Sequence, residues 1–262
     1  MKYFSKEFPG RSFSLIPLGD THLGSPQCNK KFFLSTVERI EKERDTYCVL
    51  MGDLVENALV GSVGDIYEQT SSPQEQVEEV ESILEPIKHK ILFTIIGNHE
   101  QRTTRVAGLK PTAQIASNLK IPFGGFSCYA RFTVDAKYGV FTAYFHHNTG
   151  GGYTKGGKTN RSVKLREITP TADATFSGHM HVTARTPTEW YECRRKGVHK
   201  CIGYDYIIGS ALDYDESYAE MRAKPPASTE FIKVSFIGSN SGRYDNRRQL
   251  YEIILPQGVA NG

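Results

Sequence analysis

The pattern of apolar and polar residues alternates between strand-like and helix-like segments in the first part of the chain. Apolar runs of strand length cover 13–18, 47–51 and 91–96, and apolar positions at helical spacing cover 31–44 and 74–88. Pro17 lies inside the first run, where it is awkward for a central strand because proline cannot donate to the hydrogen-bond ladder. The alternation predicts an α/β fold with a parallel sheet.

The second part of the chain is richer in strand-like runs. The segments 130–136 and 140–145 predict a hairpin, and further strands are predicted at 174–177, 182–186, 190–193, 206–208, 232–237 and 250–254. Segment 150–158 contains five glycines and two lysines and predicts a loop. No repeat or linker interrupts the chain, so we expect one domain over 1–262, with strands to about residue 255 and a frayed tail at 257–262.

Three of the strand-like runs stop at a glycine that is followed by a polar residue. The pairs are Gly19-Asp20, Gly52-Asp53 and Gly97-Asn98. The carboxyl ends of parallel strands meet at one edge of a sheet, and that edge is where sites are built. We therefore expect these three polar side chains to converge although they are far apart in sequence.

Histidines are concentrated at the same kind of position. Six of the eight lie at or just after the ends of predicted strands, namely His22, His99, His146, His147, His179 and His181. A spacing of two residues joins Asp20 to His22, and the same spacing recurs between His179 and His181. Mixed carboxylate, amide and imidazole donors suit borderline divalent ions such as Mn, Fe, Zn or Co, so the pattern predicts a metal site.

Five short motifs in one order resemble the calcineurin-like metallophosphoesterase family. They are Gly19-Asp20-Thr21-His22, Gly52-Asp53, Gly97-Asn98-His99-Glu100, a strand-end histidine, and Gly178-His179-Met180-His181. The resemblance spans residues 19–181 and implies a four-layer α/β/β/α sandwich with two mixed sheets. It also implies a hydrolase that cleaves a phosphate monoester or diester with two divalent metal ions, for which we expect Mn, Fe or Zn.

The resemblance further implies a division of the metal ligands. Asp20, His22 and His181 would hold one ion, while Asn98, His179 and a histidine from the 146–147 pair would hold the other. Asp53 would bridge the two ions, and a hydroxide between them would be the nucleophile. Neighbouring residues on a strand point to opposite faces, so only one of the pair is expected to reach the metal. We favour His147, with His146 as the alternative.

Other residues are expected to act on the substrate. The resemblance implies that His99 stabilises the phosphoryl oxygens and protonates the leaving oxygen. It also implies that Glu56 orients His99, and a carboxylate there would favour the charged form of His99. Asn57 and Arg102 are weaker candidates for phosphate contacts. In the glycine-rich segment, Lys155 and Lys158 would add positive charge for an anionic substrate.

Composition narrows the class of protein only slightly. The chain has 262 residues, 39% hydrophobic content and a formal net charge of +3, and its mean hydropathy is -0.42. This mild basicity agrees with a phosphorylated substrate but is below that of a dedicated nucleic-acid-binding domain. No apolar run has the length of a signal peptide or a membrane span, so we expect a cytoplasmic protein without a membrane partner. The sequence indicates no surface for a protein partner.

The five cysteines are scattered and lack CxxC spacing, which argues against a thiolate zinc site and predicts free thiols.

Two other functions compete with a small-molecule or protein phosphoesterase. A nuclease acting on DNA or RNA would use the basic segment 194–200 to contact a phosphate backbone. A scaffold that has kept the fold and lost the chemistry should lack ligands or the catalytic histidine. The complete set of motif residues in this chain argues against the scaffold.

Overall fold

Two mixed β-sheets pack face to face in the computed structural model, which describes residues 1–62, 66–135, 139–150, 152, 154–195, 197–214, 218–239 and 247–257. The strands are β1 Lys2–Phe8, β2 Ser12–Leu18, β3 Thr46–Leu50, β4 Ile91–Thr94, β5 Ser127–Val134, β6 Val140–His146, β7 Ala174–Ser177, β8 Ala184–Arg194, β9 Gly197–Ile207, β10 Phe231–Ile237 and β11 Arg248–Ile254. The α-helices are α1 Lys30–Lys42, α2 Pro73–Leu84, α3 Asn98–Ala107, α4 Pro111–Leu119, α5 Lys155–Val163 and α6 Tyr218–Met221. Two 3₁₀ segments, Glu85–Lys90 and Lys164–Glu167, follow α2 and α5.

The order of strands brings several carboxyl ends to one edge of the molecule. One sheet has the order β1-β5-β6-β7-β9-β8 and the other has the order β11-β10-β2-β3-β4. In the second sheet β2, β3 and β4 are parallel, and in the first sheet β6, β7 and β9 are parallel. The expected α/β class with two mixed sheets is therefore confirmed.

Alternation along the strands divides the core into two layers. On β2, Ile16 and Leu18 pack with the helices α1, α2 and α4, while Phe13 and Leu15 face the other sheet. This follows from the two-residue period of a strand, because successive side chains point to opposite faces. The layer between the sheets is rich in aromatic rings, including Phe13 stacked on Phe236 at 4.9 Å. Each fully buried aromatic side chain of this kind stabilises the fold by about 1.5–3 kcal/mol.

Pro17 is tolerated in β2 although β2 is a central strand. The antiparallel register of β10 with β2 covers only Ser12 to Leu15, so Pro17 lies beyond that pairing. On the other side, Pro17 is opposite Val49 in the parallel ladder with β3. The proline therefore occupies a position where no hydrogen bond to β10 is required of it.

Several elements differ from the sequence-based expectation. The structure contains β1, α3 and α4, none of which the apolar pattern predicted. The segments predicted at 182–186 and 190–193 belong to one long strand, β8, and β9 begins well before residue 206. The predicted loop at 150–158 is wrong from Lys155 onward, because Thr154 caps a helix by accepting a hydrogen bond from the N–H of Gly157. The expected fraying at 257–262 falls, apart from Gln257, outside the described residues.

The predicted hairpin is confirmed as β5 and β6, which pair from Ser127 opposite His146 to Thr133 opposite Val140. All five cysteines are free thiols, as expected. Within the described ranges, no helix has both the length and the apolar character needed to cross a lipid bilayer.

Candidate metal centre

The predicted ligands meet at the edge of the sandwich where β2, β3, β4, β6 and β7 end. Each ligand follows a strand end, in the order Asp20 and His22 after β2, Asp53 after β3, Asn98 after β4, His147 after β6, and His179 and His181 after β7. Both sheets contribute, so the site lies across the seam between them. The convergence expected for parallel strand ends therefore extends over two sheets.

Five of these predicted ligands have a backbone conformation that residues other than glycine rarely adopt. The φ angles are +51° at Asp20, +46° at His22, +49° at Asp53, +70° at His179 and +49° at His181. Residues in this left-handed region cost about 1–3 kcal/mol each and persist only when their surroundings hold them. The concentration of such residues at one edge marks a built site rather than a set of ordinary turns.

Hydrogen bonds between the strand-end loops hold this conformation. The backbone N–H groups of Thr21 and His22 donate to the carbonyl oxygen of Asp53 at 3.0 and 3.1 Å. The backbone N–H of His179 donates to the carboxylate of Asp20, at 2.8 Å from Oδ2. The first, second and last motifs are thereby joined directly, although they are far apart in the chain.

One cluster of donors consists of Asp20, His22 and His181. The Nε2 atoms of His22 and His181 are 3.2 Å apart, and Nε2 of His181 is 3.3 Å from Oδ1 of Asp20. Two imidazole nitrogens and one carboxylate oxygen thus point toward a common position. On its other side, Nδ1 of His22 lies 3.1 Å from Oε2 of Glu56, a second carboxylate that orients the ring.

A second cluster consists of Asp53, His147 and His179. Nε2 of His147 lies 3.0 Å from Oδ2 of Asp53 and 3.1 Å from Oδ1 of Asn98. Oδ2 of Asp53 is also 3.9 Å from Nε2 of His22, which belongs to the first cluster. One carboxylate oxygen therefore lies between the two groups of donors.

The unsatisfied atoms of this centre fit a cation. Asp20 and Asp53 are both 0% exposed, and an isolated buried carboxylate is strongly unfavourable. Within the described part of the chain, Oδ2 of Asp53 and Nδ1 of His179 are buried and make no hydrogen bond of good geometry. The donor set of carboxylate, imidazole and amide groups is one that borderline divalent metals accept. The residues present thus fit divalent cations.

The electrostatics of the cluster favour positive charge beside Asp53. Burial opposes ionisation of His147, but the neighbouring Asp53 carboxylate outweighs it and raises the pKa of His147 to about 10. Burial likewise works against ionised Asp53, yet His147 and His99 hold the pKa of Asp53 well below its usual value. The carboxylate therefore remains charged and attracts any cation available, including a proton on His147.

The structure brings His147 into the cluster and leaves His146 outside it. His147 is buried, and its Nδ1–H donates to the carbonyl oxygen of Met51 at 2.7 Å, which turns Nε2 toward the other ligands. His146 is still part of β6, and its Nδ1 accepts the backbone N–H of Asn148 at 2.6 Å. A ligating histidine typically donates its second ring N–H to a carbonyl in this way.

Glu100 has a structural role that the sequence patterns did not predict. Its buried carboxylate accepts backbone N–H groups from Asp53, Leu54 and Gly97 at 3.1, 2.7 and 3.1 Å. It thus ties the end of β3 to the start of α3. The available signal was its place as the third residue of a helix, where a glutamate accepts the free N–H groups of the amino terminus.

His99 is held differently from the expectation. Its Nδ1 lies 2.7 Å from the backbone carbonyl oxygen of Glu56, while the Glu56 carboxylate lies nearer to His22. Nε2 of His99 accepts a hydrogen bond from Arg102 at 2.8 Å. Burial lowers the pKa of His99 to about 4, in spite of the nearby carboxylate of Asp53. The expected charged form of His99 is therefore not the form this arrangement favours.

The candidate substrate contacts have different environments. Asn57 is 1% exposed, its side chain donates to the carbonyl of His99 and accepts the hydroxyl of Thr103, and its contact with phosphate stays a prediction. Arg102 is partly exposed beside His99, and its guanidinium also donates to the carbonyl of Glu56 at 2.9 Å. Its contact with substrate stays a prediction.

Lys155 and Lys158 lie in the first turn of α5 rather than in a loop. Lys155 is exposed and Lys158 is half-buried. Their contact with substrate also stays a prediction.

The family model described as calcineurin-like phosphoesterase matches residues 15–183, a span that contains all the predicted ligands. No curated protein sequence matches the chain.

Solved structures that match the chain have low sequence identity to it. A predicted phosphoesterase from Streptococcus pneumoniae is 11% identical with a TM-score of 0.38, and covers 92% of this chain and 98% of its own. A calcineurin-like phosphoesterase from Bacillus subtilis is 11% identical with a TM-score of 0.40, over 94% and 91%. A serine/threonine phosphatase from Saccharomyces cerevisiae is 11% identical with a TM-score of 0.39, over 99% and 85%.

Proposed function

The chain belongs to the calcineurin-like phosphoesterase family, and from that premise we propose that it hydrolyses phosphate esters with the aid of two divalent cations. The observation that carries the proposal is the position of Asp53. Its buried Oδ2 lies between two groups of donors, 3.0 Å from Nε2 of His147 on one side and 3.9 Å from Nε2 of His22 on the other. A single carboxylate oxygen in such a position suits a bridging ligand.

The proposed ligands divide as the two clusters do. Asp20, His22 and His181 would hold one cation, Asn98, His147 and His179 would hold the other, and Asp53 would contribute to both. When bound, two such cations supply Lewis acidity that activates water near neutral pH and neutralises charge on the phosphoryl group. The N/O donor set suits Mn, Fe or Zn.

The chain's own side chains would orient the ester at this centre. Nε2 of His99 lies 3.8 Å from Oδ2 of Asp53, which places the ring beside the shared carboxylate. Arg102 donates to that same nitrogen, so its guanidinium is held at the rim of the site by His99 and by the carbonyl of Glu56. We assign Arg102 as the positive group that faces the phosphoryl oxygens and His99 as the residue that positions it.

Metal analysis combined with turnover tests the proposal. Purified protein should contain up to two transition-metal ions per chain, and hydrolysis of p-nitrophenyl phosphate or bis(p-nitrophenyl) phosphate should disappear after chelation and return with Mn or Zn. Asp53→Asn should lose both metal and turnover, whereas Asp213→Asn, at an exposed carboxylate bonded to Asn29, should keep both. Turnover by metal-free protein would refute the proposal. Metal binding without hydrolysis of any ester would instead support a non-catalytic scaffold that has kept the fold.

A further inference from the structure

A gap one strand wide opens in the six-stranded sheet before the start of β7. β7 has only four residues, and its pairing begins at Ala174, opposite Ala143 of β6 and Tyr204 of β9. β6 starts three residues before this level and β9 starts seven residues before it, where β9 pairs with β8. Neighbouring strands lie about 4.8 Å apart, so the backbones of β6 and β9 flank a space about 10 Å wide.

This gap forms a cavity of about 630 Å³, which is the size of a small-molecule site. The beginning of β11 closes one side of it. The side-chain amide of Gln249 donates to the carbonyl oxygen of Asp173 at 2.9 Å, and Arg247 forms an ion pair with the Asp173 carboxylate at 2.7 Å. Four aromatic side chains contribute to the lining, namely Tyr129, Phe141, Trp190 and Tyr204. A ligand with a planar ring would therefore find aromatic surface in the cavity.

The guanidinium of Arg185 is held in this lining by two aromatic rings. Its Cζ lies 3.7 Å from the centre of the Tyr204 ring and 5.0 Å from that of the Tyr251 ring. Stacking uses the face of a guanidinium and leaves the N–H groups along its edge able to donate. Among the described residues, Nε of Arg185 is buried and makes no hydrogen bond of good geometry. Arg185 is thus fixed in position and keeps donors for an anion.

Positive charge in the lining exceeds negative charge. Five of the lining side chains are cationic and two are carboxylates. Three ion pairs at 2.7 Å use part of this charge: Arg247 with Asp173, Arg194 with Glu192, and Lys200 with Glu189. Arg185 and Arg248 form no ion pair with any carboxylate that the structure describes. Two positive charges therefore remain for a ligand, which suits a dianionic phosphate better than a single carboxylate.

The cavity and the metal centre lie at opposite ends of the same strands. β6 and β7 begin at the cavity, whereas the predicted ligands His147, His179 and His181 follow the ends of these strands. The length of β7 alone places about 10 Å between the two. A ligand in the cavity would therefore occupy a second site.

We propose that this cavity binds a nucleoside monophosphate, with the phosphate on Arg185 and the base on the aromatic lining. A planar guanidinium pairs with two phosphate oxygens at once, and stacking on aromatic side chains accepts any base. The inference goes beyond the proposed function and does not depend on it, because the donor clusters contain none of the cavity residues.

Calorimetry with the full-length, metal-loaded protein tests the class of ligand. Adenosine 5′-phosphate and uridine 5′-phosphate carry both parts, adenosine and uridine lack the phosphate, and inorganic phosphate lacks the ring. At least one nucleotide should bind about tenfold more tightly than its nucleoside and than inorganic phosphate. A nucleoside or inorganic phosphate that binds as tightly as the nucleotides would overturn the inference, as would the absence of nucleotide binding.

Trp190 reports where the nucleotide binds, because it is the only tryptophan in the chain and it lines the cavity. Its fluorescence should change on titration with the favoured nucleotide, with the Kd that calorimetry gives. Both signals should persist in Asp53→Asn, which alters the metal centre. Calorimetric binding that disappears in Asp53→Asn and leaves the fluorescence of Trp190 unchanged in the wild type would place the nucleotide at the metal centre and overturn the inference.

Substitutions of the arginines decide whether the phosphate binds as described. Arg185→Gln should raise the Kd of the nucleotide at least about tenfold, and Arg185→Lys should recover part of the loss because it keeps the charge without the planar fork. Arg131→Gln is the matched control, since it removes an exposed arginine of β5 that lies outside the described lining, and it should keep the wild-type Kd.

Thermal unfolding shows whether each variant is folded. An unchanged Kd in folded Arg185→Gln would overturn the inference. If Arg185→Gln does not fold, Arg248→Gln takes its place, because Arg248 is exposed and is the other lining cation without an ion pair among the described residues. That variant should raise the Kd about threefold, and an unchanged Kd there would overturn the inference equally.

Discussion

The carboxylate of Glu100 accepts the backbone N–H of Asp53 at 3.1 Å and also bonds the next N–H, that of Leu54, at 2.7 Å. Asp53 has a φ of +49° and supplies the oxygen that lies between both donor clusters. The glutamate thus holds a strained backbone in the one conformation that aims this side chain at the site. It stands outside both clusters and acts through Asp53, so it is a positioning residue.

Glu100→Gln should destabilise the protein and weaken its metal affinity. The amide can accept fewer of the three N–H groups and its own NH₂ would face them, so we expect a loss of about 1–3 kcal/mol in the free energy of unfolding. Urea unfolding of metal-free protein measures the loss. Glu75→Gln is the matched control, because Glu75 is the equivalent residue of an exposed capping box on α2 and should cost less. Equal losses of stability in the two variants would contradict the positioning role of Glu100.

Gly97→Ala should disrupt the centre by steric overlap. A Cβ at Gly97 would lie 2.1 Å from the backbone N of Asp53 and 2.2 Å from its Oδ1, contacts that force the β3 and β4 ends apart. We expect a loss of at least about 1–3 kcal/mol together with loss of bound metal. Thermal unfolding and metal analysis measure both effects.

Gly156→Ala is the control for the substitution itself. A Cβ at Gly156 meets no atom within 4 Å, and the residue lies in α5, so alanine there should stabilise by up to about 1 kcal/mol. A Gly97→Ala protein with wild-type stability and metal content would show that the two strand ends are not packed as closely as described.

The adjacent histidines 146 and 147 should differ sharply in their effect on metal content. His147→Ala removes the imidazole that approaches both Asp53 and Asn98, so the protein should lose one of its two ions and its turnover. His146→Ala removes a side chain that accepts the backbone N–H of Asn148 and is in neither donor cluster, so the variant should keep both ions. Elemental analysis after gel filtration reports the stoichiometry. Loss of metal in His146→Ala with retention in His147→Ala would reverse the assignment.

Glu43 should contribute to stability in a pH-dependent way. Burial raises the pKa of Glu43, but hydrogen bonds from Lys233, Thr46 and Arg39 outweigh it and lower the pKa to about 2, from an ordinary 4.5. A lowered carboxyl pKa means a contribution that is complete above pH 4.5 and is lost as the pH falls toward 2. Because the side chain is still partly exposed, solvent screens its ion pairs, and the contribution should be below about 1 kcal/mol.

Urea unfolding of Glu43→Gln at pH 7 and pH 3 measures this effect. The variant should be less stable than wild type at pH 7, and the difference should shrink at pH 3. A difference that is the same at both pH values would show that the ion pairs with Lys233 and Arg39 add nothing to stability.

The local pattern of apolar and polar residues predicted much of the fold. The runs at 13–18, 47–51 and 91–96 became β2, β3 and β4 with shifts of a residue or two at their ends. A single sequence is enough to recognise the two-residue period of buried strands and the helical period of 31–44, because both depend on residues that are near neighbours in the chain. β1 was not predicted because most of its residues are polar and its position depends on a distant partner, β5. α4 was missed although Thr112, Ile115, Ala116 and Leu119 are buried at helical spacing.

The sequence by itself determined which residues would gather at the strand ends, because parallel strands place their carboxyl ends together whatever else the chain does. Only the tertiary structure decided the finer contacts. It brought the side chain of His147, and not that of His146, beside Asp53 and Asn98. It also turned the Glu56 carboxylate toward His22 and gave Glu100 its backbone partners. These contacts join segments that are tens of residues apart, and their geometry follows from the packing of two sheets, which no local period encodes.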